Sequence, residues 1–335
     1  MRWGTVTLAD EPLALLMAFA AWHRQAGAAE IHIFLDRAHG PDAEALARIP
    51  GTRVRVCDDG FWTRHGGRPK LQTRRQEIVA NAAYGESDVP WLAHIDADEF
   101  IHPGPGFADE LAAIPAAVDG TTLPVRERVW EAERPPRALF DGLYRVPIPG
   151  KLPLNRVLHP ETARYRYRGL TSHTTGKTLV RTGREIAMGI HTPREQDRLH
   201  LMHVQGATLL HFDGLTPFHW LVKRLKYAAL PHAQKRMDGE NYRWAQIEAL
   251  RAMPTLWEAR RFQRRLSALH PEKIAELAAL RLLEDAAGFD PAAALARFPP
   301  GVPVDLSVAH FDAEIAARDA DFVSALSLAP EPGPG

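Results

Sequence analysis

Strand-like and helix-like segments alternate along the first hundred residues, and this alternation restricts the fold more than any other feature of the sequence. The strand-like segments are Thr5–Ala9, Ile31–Leu35, Val54–Val56 and Trp91–Ile95. The helix-like segments between them are Leu13–Ala26, Pro41–Ile49 and Leu71–Ala83. Strands that alternate with helices pair in parallel through right-handed crossovers. The sequence therefore predicts an α/β fold with a three-layer, mostly parallel sheet.

The charge balance and the cysteine content exclude several kinds of partner and site. Lys plus Arg number 41, as do Asp plus Glu, so no net field attracts nucleic acid or an anionic membrane. Arginines alternate with tyrosines over Arg164–Arg168, but in a neutral protein such a strip favours an exposed strand face over a nucleic-acid site. Cys57 is the only cysteine, which excludes an intrachain disulfide and a thiolate metal cage. We therefore expect no nucleic-acid partner.

The N-terminal segment and the longest apolar run predict the location of the protein. Met1–Gly4 lacks the basic head and the apolar stretch of a secretory signal. The longest apolar run, Pro12–Trp22, has 11 residues, fewer than the roughly 20 that span a bilayer. These features predict a cytoplasmic protein with at most peripheral membrane contact.

Acidic residues follow the strands, at the edge of the sheet where α/β proteins bind ligands. Asp36, Asp58 and Asp59 follow the second and third strands, and Asp96 and Asp98 follow the fourth. The i, i+2 spacing of the last two allows both carboxylates to reach one cation. Two carboxylates suit a hard divalent ion that takes its other ligands from water and substrate phosphates. Because such an ion neutralises a departing diphosphate, this edge predicts a Mn²⁺ or Mg²⁺ site in a nucleotide-sugar transferase.

The segment around these carboxylates matches a known motif. Trp91–Ile101 reads WLAHIDADEFI and resembles the W-(hydrophobic)-D-x-D-E-F-(hydrophobic) signature of glycosyltransferase family 2-like proteins and of the related family 92 group. Weaker landmarks of that family occur in the same order over about residues 1–230: Trp22-His23, Gln76, Asn81, His211-Phe212, Phe218 and Lys223. The resemblance implies a GT-A fold, a nucleotide-sugar donor and Mn²⁺ or Mg²⁺.

The same resemblance implies a hexosyltransferase-like enzyme that acts on a carbohydrate or glycolipid acceptor in surface polysaccharide or glycolipid synthesis. The chain departs from the family at Phe212, where Tyr is usual, and at Asp213–Leu215, which replaces a K-S pair. The identity of the donor is therefore not carried over. Two alternatives remain, a nucleotidyltransferase-like enzyme and a non-catalytic binding module. The first would need a Gly-rich phosphate loop after the first strand, and Leu8–Pro12 contains none.

Four residues are candidate metal ligands. Asp96 and Asp98 are expected to bind the ion, and Asp98 is also assigned a catalytic role. His191 and His211 each end a strand-like run, and we expect one of them to be a further ligand because imidazole suits Mn²⁺. A hydrogen-bonded histidine at a sheet edge is the alternative for each.

Donor binding is assigned to residues at strand ends and before the third helix, namely Asp10, Glu11, Asp36, Lys70, Arg75 and Asp96. Asp36 either contacts the nucleotide or caps its strand. Asp10 and Glu11 either approach the nucleotide or cap the first helix. Lys70 and Arg75 either bind the diphosphate or belong to a solvated helix face.

The catalytic base is expected in the part of the sequence that follows the metal motif. An inverting transferase needs a carboxylate within hydrogen-bond reach of the acceptor hydroxyl. Glu127, Glu131 and Asp141 lie in that region, and we select Glu131.

The sequence pattern changes after Tyr242, where strand signals fade and helix-forming residues dominate. We predict a GT-A domain over residues 1–241, a helical accessory region over 242–328 and a disordered tail over 329–335. No cluster of chemistry-bearing residues stands out after Tyr242. The helical region is therefore expected to shape the acceptor side or a partner contact, or simply to complete the core.

Overall fold

The computed structural model describes residues 1–37, 40–134, 136–150, 153–229, 241–253, 255–298 and 301–325. The chain divides into two units. The first consists of Met1–Val125, Thr175–Leu210 and Gly288–Asp305, and the second of Arg126–Thr174, His211–Ala287 and the described part of Leu306–Gly335. The tail expected over 329–335 lies outside the described residues. The division into domains at residue 241 stays a prediction.

Strands and helices alternate at the start of the chain and helices dominate its end. The elements up to residue 123 are β1 (Gly4–Ala9), α1 (Leu13–Gln25), β2 (Glu30–Leu35), α2 (Gly40–Ala47), β3 (Thr52–Val56), α3 (Asp59–Arg64), α4 (Gln72–Glu86), β4 (Trp91–His94), β5 (Glu99–Pro103), α5 (Phe107–Ala113) and β6 (Gly120–Leu123). The elements up to residue 228 are β7 (Val125–Glu131), β8 (Leu143–Arg145), α6 (Leu154–Leu158), β9 (Lys177–Arg181), β10 (Leu201–His203), β11 (Ala207–His211) and α7 (Pro217–Ala228). The remaining elements are α8 (Tyr242–Arg251), α9 (Leu256–Ser267), β12 (Ala268–Leu269), α10 (Pro271–Ala279), β13 (Leu283–Glu284), α11 (Pro291–Arg297), α12 (Val308–Arg318) and α13 (Ala320–Ala325).

The main sheet of the first unit has the strand order β10-β6-β9-β4-β1-β2-β3. β1 pairs in parallel with β2 and with β4, and β2 pairs in parallel with β3. β9 is antiparallel to both β4 and β6. In this register Val6 of β1 lies between His32 and His94. The predicted α/β fold with a mostly parallel sheet is confirmed.

The helix α1 is buried along almost its whole length, which explains its apolar sequence. Residues 14–23 are all buried, and α11 packs against this helix. Phe289, just before α11, contacts Trp22 edge-on with ring centroids 4.6 Å apart. The N-cap of α1 is Pro12, without a side-chain hydrogen bond. The alternative role of Asp10 as the helix cap is therefore wrong.

The sequence patterns did not predict α3. This short helix begins after Asp58, whose carboxylate accepts a hydrogen bond from Phe61 N at 2.7 Å. Phe61 and Trp62 anchor the helix because both side chains are buried. Asp58 is therefore a helix cap, and its position after a strand has a structural explanation.

The second unit combines short strands with helices. β8 is antiparallel to both β7 and β13, and β12 is parallel to β7. One hydrophobic cluster joins Tyr165 and Trp220 to Phe262 and Leu266 of α9. Helices follow Tyr242 as expected, and two of them, α8 and α9, share this core with residues that precede them. In the described ranges, no helix has both the length and the apolar character needed to cross a membrane.

Candidate functional site

The acidic motif forms a tight turn between β4 and β5. Ile95 N donates to Val6 O at 3.1 Å, which extends the pairing with β1 by one residue. Glu99 N then donates to Asp96 O at 3.0 Å and closes the turn. Asp98 is 4 % exposed, whereas the side chain of Asp96 is 30 % exposed. Both carboxylates therefore lie at the carboxyl end of a strand inside the main sheet, where α/β folds bind ligands.

The carboxylate of Asp96 is held by side chains from two other elements of the first unit. Lys177 Nζ, on β9, donates to Asp96 Oδ2 at 2.9 Å, and Gln76 Nε2, on α4, donates to Oδ1. Glu99 Oε2 accepts a hydrogen bond from Asp96 N at 2.7 Å and lies 3.2 Å from Lys177 Nζ. The buried ammonium of Lys177 is therefore shared between two carboxylates.

This charge pairing determines the protonation states at the turn. Burial alone would raise the pKa of Asp96, but the ammonium of Lys177 outweighs burial and the pKa falls to about 2. Burial would lower the pKa of Lys177, but the carboxylates of Asp96 and Glu99 raise it above its usual value. Asp96 is therefore an anion and Lys177 a cation at neutral pH. A carboxylate that stays ionised is the form that binds a metal ion.

The loop before His191 is held by α4 and β4. Asn81 Nδ2 donates to Met188 O at 3.0 Å, and Asn81 Oδ1 accepts from Met188 N at 2.9 Å. His94 Nδ1 donates to Gly189 O at 3.2 Å. Burial lowers the pKa of His94 to about 4, so its ring is neutral. Three polar side-chain contacts thus fix the loop that leads to His191.

His191 lies beside the strand residue that binds Asp96. Its Nδ1 donates to Gly176 O at 3.1 Å, and its carbonyl accepts from Thr178 Oγ1 at 3.0 Å. These two contacts flank Lys177 in the sequence. Because Nδ1 donates to a carbonyl, Nε2 is the unprotonated nitrogen of the neutral ring. This tautomer suits a metal ligand that binds through Nε2.

The other candidate histidine, His211, belongs to the second unit, whereas the two aspartates of the motif and His191 belong to the first. His211 Nδ1 lies 3.0 Å from Ser172 Oγ. Its ring packs against that of His173 with centroids 4.7 Å apart. The assignments of Asp96, Asp98, His191 and His211 as metal ligands stay predictions.

The helix α1 forms hydrogen bonds with β5, the strand that follows the acidic turn. Trp22 Nε1 donates to Ile101 O at 2.8 Å, and His23 Nε2 accepts from Ile101 N at 3.1 Å. Burial lowers the pKa of His23 to about 3, so the ring is neutral, and its Nδ1 donates to Phe19 O at 2.8 Å. The Trp22-His23 landmark therefore satisfies the backbone of a buried strand next to the motif.

The donor-binding candidates after β2 lie among arginines. Asp36 contacts Arg68 at 2.8 Å and Arg75 at 3.0 Å. Arg75 Nη1 also donates to Pro69 O at 2.9 Å and to Lys70 O at 3.1 Å. Asp36 and Arg75 therefore fix the loop that precedes α4, and the side chain of Lys70 is exposed on that loop.

One of the two donor-binding candidates after β1, Asp10, forms an ion pair. Asp10 Oδ1 accepts from Arg37 Nε at 2.6 Å, and the two side chains are 31 % and 40 % exposed. Glu11, the next residue, is partly buried. The donor-binding roles assigned to Asp10, Glu11, Asp36, Lys70 and Arg75 stay predictions.

The three base candidates have different surroundings. Glu127 is buried, pairs with Arg145 and accepts from the backbone N–H groups of Thr171 and Ser172. Asp141 accepts from the backbone N–H groups of Arg137 and Ala138 at 2.9 and 3.0 Å and so stabilises a turn. Glu131, at the end of β7, is partly buried and contacts Arg134 at 3.5 Å. Its catalytic role stays a prediction.

Sequence reasoning assigned no site role to Lys177 or Glu99, although both contact Asp96. Glu99 is part of the motif itself. The signal for Lys177 is a lysine at the start of the strand-like segment Lys177–Val180. A lysine that a strand pattern buries needs a carboxylate partner, so it directs attention to the acidic turn.

No protein-family model matches this chain, and neither does any curated protein sequence. Among solved structures the chain is similar to the crystal structure of GalNAc-T7 with UDP, GalNAc and Mn²⁺. The TM-score is 0.36 and the sequence identity is 11 %, and the match covers 83 % of this chain and 57 % of that chain. It is also similar to S. aureus TarS 1–349, with a TM-score of 0.31 and 13 % identity over 74 % of this chain and 70 % of that chain. A third similar structure, of the bifunctional glycosyltransferase WbbM, has a TM-score of 0.26 and 13 % identity over 37 % of this chain and 23 % of that chain. At these TM-scores the similarity identifies neither a substrate nor an activity.

Proposed function

We propose that this protein is a metal-dependent glycosyltransferase of the GT-A type, which transfers a sugar from a nucleotide-sugar donor to an acceptor hydroxyl. The acidic turn after β4 supports this proposal most, because Asp96 is held there as an anion with Asp98 two residues further along. The acceptor in this proposal is a surface polysaccharide or glycolipid, and the protein acts in the cytoplasm.

The side chains of the turn fit a divalent cation. Asp96, Asp98 and Glu99 contribute three carboxylates and Lys177 contributes one ammonium, which leaves a formal charge of −2 on the cluster. Oxygen ligands with excess negative charge suit Mg²⁺ and Mn²⁺. In this proposal His191 adds an imidazole ligand. When bound, the ion stabilises the negative charge on the departing nucleoside diphosphate.

Lys177 and Gln76 act as positioning residues in this proposal. Lys177 has no exposed side-chain surface and Gln76 is 7 % exposed, so both reach Asp96 from inside the unit. Their two hydrogen bonds leave the carboxylate one orientation, while 30 % of the Asp96 side chain remains exposed to a ligand. Groups that are oriented before binding lose less entropy when the substrate arrives.

The loop before α4 supports a donor site next to the metal ligands in the same unit. Arg68 and Arg75 bring guanidinium groups to the end of β2, and planar guanidinium groups recognise phosphate oxygens. We propose that Asp36 seats the nucleotide and that Lys70 and Arg75 contact the diphosphate. Asp10 and Glu11, after β1, complete the proposed donor side.

Nucleoside diphosphates test the metal and the donor together. UDP or GDP is expected to raise the melting temperature more when Mn²⁺ is present than when a chelator replaces it, because the ion links diphosphate and carboxylates. At a ligand concentration about a hundred times the Kd, binding adds about 2.7 kcal/mol to the free energy of unfolding. A thermal-shift assay with a panel of nucleotide sugars measures the effect and identifies the preferred base.

A chelator control separates this proposal from a metal-free site. If UDP or GDP stabilises the protein equally with Mn²⁺ and in excess EDTA, the diphosphate binds without a metal ion, and the metal assignment is wrong. Release of nucleoside diphosphate from the preferred donor then distinguishes an enzyme from a binding module, because only an enzyme turns the donor over.

Glu131→Gln tests the proposed catalytic base. If the Glu131 carboxylate accepts the proton of the acceptor hydroxyl, kcat for transfer is expected to fall by roughly 10²–10⁴-fold, while donor binding in the thermal-shift assay is unchanged. Glu133→Gln is the matched control, because Glu133 is exposed two residues away. Equal rates for both variants and the wild type would exclude Glu131 as the base.

A further inference from the structure

The second unit contains a cavity of about 770 Å³ that the proposed sugar transfer does not use. It is lined by residues that follow α6, by one side of α9 and by the beginning of α10. Cavities of this volume are typical of small-molecule binding sites. The sequence patterns gave no sign of it, since no cluster of chemistry-bearing residues stands out after Tyr242.

The lining of this cavity is strongly cationic. Its charged side chains are Arg166, Arg260, Arg261, Arg264, Arg265, Lys273 and a single carboxylate, Glu161. Glu161 contacts Arg265 at 3.2 Å, but the two side chains are 79 % and 52 % exposed, so water screens the pair strongly. Arg264 and Lys273 also donate to backbone carbonyls at 2.7 and 2.8 Å. Lys273 pairs in addition with Glu276, whose side chain is 43 % exposed, so water screens this pair as well. The cavity therefore has a large excess of positive charge in a protein whose total charge is zero.

The helix α9 places four of these cations in like-charged pairs. Its buried side chains, Ala259, Phe262 and Leu266 among them, face the core of the unit. Arg260 and Arg264, and likewise Arg261 and Arg265, are four residues apart, so each pair lies on the same stretch of helix surface. A solvated helix face usually mixes both signs of charge, because like charges at this spacing destabilise a helix. Arg260 interacts with the carboxylate of Asp312, and an anion in the cavity would reduce the remaining repulsion.

Arg166 adds a cation that is buried rather than solvated. The strip Arg164–Arg168 is not the exposed strand face that the sequence favoured, because it begins in a 3₁₀ helix, Ala163–Tyr165. Within the strip, Arg166 is only 5 % exposed. Its described acceptors are neutral, with Thr162 Oγ1 at 3.0 Å and Leu266 O at 2.8 Å. Burial, together with the charge of Arg145, lowers its pKa. The buried carboxylate of Glu127 opposes this shift in part, and an anion in the cavity would offset more of the cost of the buried charge.

The N-terminus of α10 also favours an anion in the cavity. His270 precedes the helix without a side-chain cap, and Pro271 follows it as the first helical residue. His270 and Lys273 both line the cavity. The uncapped N–H groups and the dipole at a helix N-terminus attract anions, phosphate above all.

We propose that this cavity is a second ligand site, which binds a phosphate or diphosphate group. Arginines at the wall present paired N–H donors that match two phosphate oxygens at once. The N-terminus of α10 supplies backbone donors from another side. This site is independent of the acidic turn, whose charge is of the opposite sign.

Pyrophosphate, inorganic phosphate and lipid vesicles test the proposal. We expect pyrophosphate to bind saturably at physiological salt in isothermal titration calorimetry with EDTA present. The double variant Arg261→Gln/Arg265→Gln is expected to weaken binding tenfold or more, because both side chains are exposed parts of the wall and can be changed without loss of the core. The matched control is Arg198→Gln/Arg297→Gln, which removes the same charge from exposed arginines outside the cavity and is expected to change binding less than twofold.

The vesicle arm separates soluble from lipid-borne phosphate. Retention on phosphatidic acid vesicles but not on phosphatidylcholine vesicles, lost in the cavity double variant, assigns the site to a lipid headgroup. Binding of pyrophosphate without retention on either vesicle assigns it to a soluble ligand. The proposal is overturned if no probe binds saturably, or if the two double variants weaken binding equally, since the effect is then one of net charge.

Discussion

Replacing Asp98 with Asn is expected to abolish sugar transfer and leave the fold intact. Asn has the shape of Asp but no charge, and a hard divalent cation needs anionic oxygen ligands. Loss of one carboxylate from the proposed cluster is expected to slow turnover by at least about 100-fold, or about 2.7 kcal/mol of transition-state stabilisation. Release of nucleoside diphosphate from the preferred donor measures turnover, and the melting temperature without metal reports the fold.

The control for this variant is Asp58→Asn. Asp58 also follows a strand of the first unit, but it caps α3, and Asn is as good a cap as Asp. We expect the Asp58 variant to keep wild-type turnover and stability. Near-normal turnover of the Asp98 variant in saturating Mn²⁺ would contradict the metal assignment. Asp96→Asn should also slow turnover, and it additionally weakens the contact with Lys177.

The sheet was predictable because its signals are local. Strands such as Ile31–Leu35 and the apolar helix after Pro12 are visible as runs of a few residues, and their alternation determines parallel pairing. The helix α3 was not predictable in this way, because six residues are too few to show a helical period. The capping of that helix by Asp58 became evident only from the contact with Phe61 N.

The site was predictable only where its residues are adjacent in sequence. Asp96, Asp98 and Glu99 lie within one turn, whereas Lys177 is 81 residues from Asp96. Gln76 is 20 residues away on another element. Contacts of this kind depend on which strands become neighbours, and the antiparallel insertion of β9 beside β4 follows from no local pattern. The motif was therefore predictable from the sequence, whereas the contacts of Lys177 and Gln76 with it were not.

Replacing Lys177 with Met is expected to lower the stability of the fold more than the aspartate-to-asparagine changes at Asp58, Asp96 and Asp98. The variant leaves the carboxylates of Asp96 and Glu99 without the buried ammonium that lies 2.9 and 3.2 Å from them. Removing one partner of a buried ion pair costs about 3–5 kcal/mol. Urea unfolding at pH 7 with EDTA present measures the loss, so that the ion pair is tested without metal. Turnover should fall as well, because Asp96 loses one of its two positioning donors.

Lys226→Met is the matched control. Lys226 Nζ lies 2.9 Å from Asp319 Oδ1, the same distance as in the Lys177–Asp96 pair, but its side chain is 41 % exposed. Exposed pairs contribute about 0–1 kcal/mol, so this variant should differ little from the wild type. The double variant Lys177→Met/Glu99→Gln should recover part of the lost stability, because it removes one of the two stranded charges.

The pH dependence separates charge from packing in the Lys177→Met variant. In the wild type the pKa of Asp96 is lowered to about 2, so the ion pair stabilises the fold above the ordinary pKa of an aspartate, about 3.9. That contribution is lost as pH falls from about 4 through 2. Without the ammonium, burial raises the pKa of Asp96. Protonation of Asp96 as the pH falls towards 4 then removes the buried charge that destabilises the variant. The difference in unfolding free energy between wild type and variant should therefore shrink between pH 7 and pH 3. A difference that stays constant over this range would show that Lys177 stabilises the fold through the packing of its alkyl chain, and that Asp96 does not depend on it for its charge.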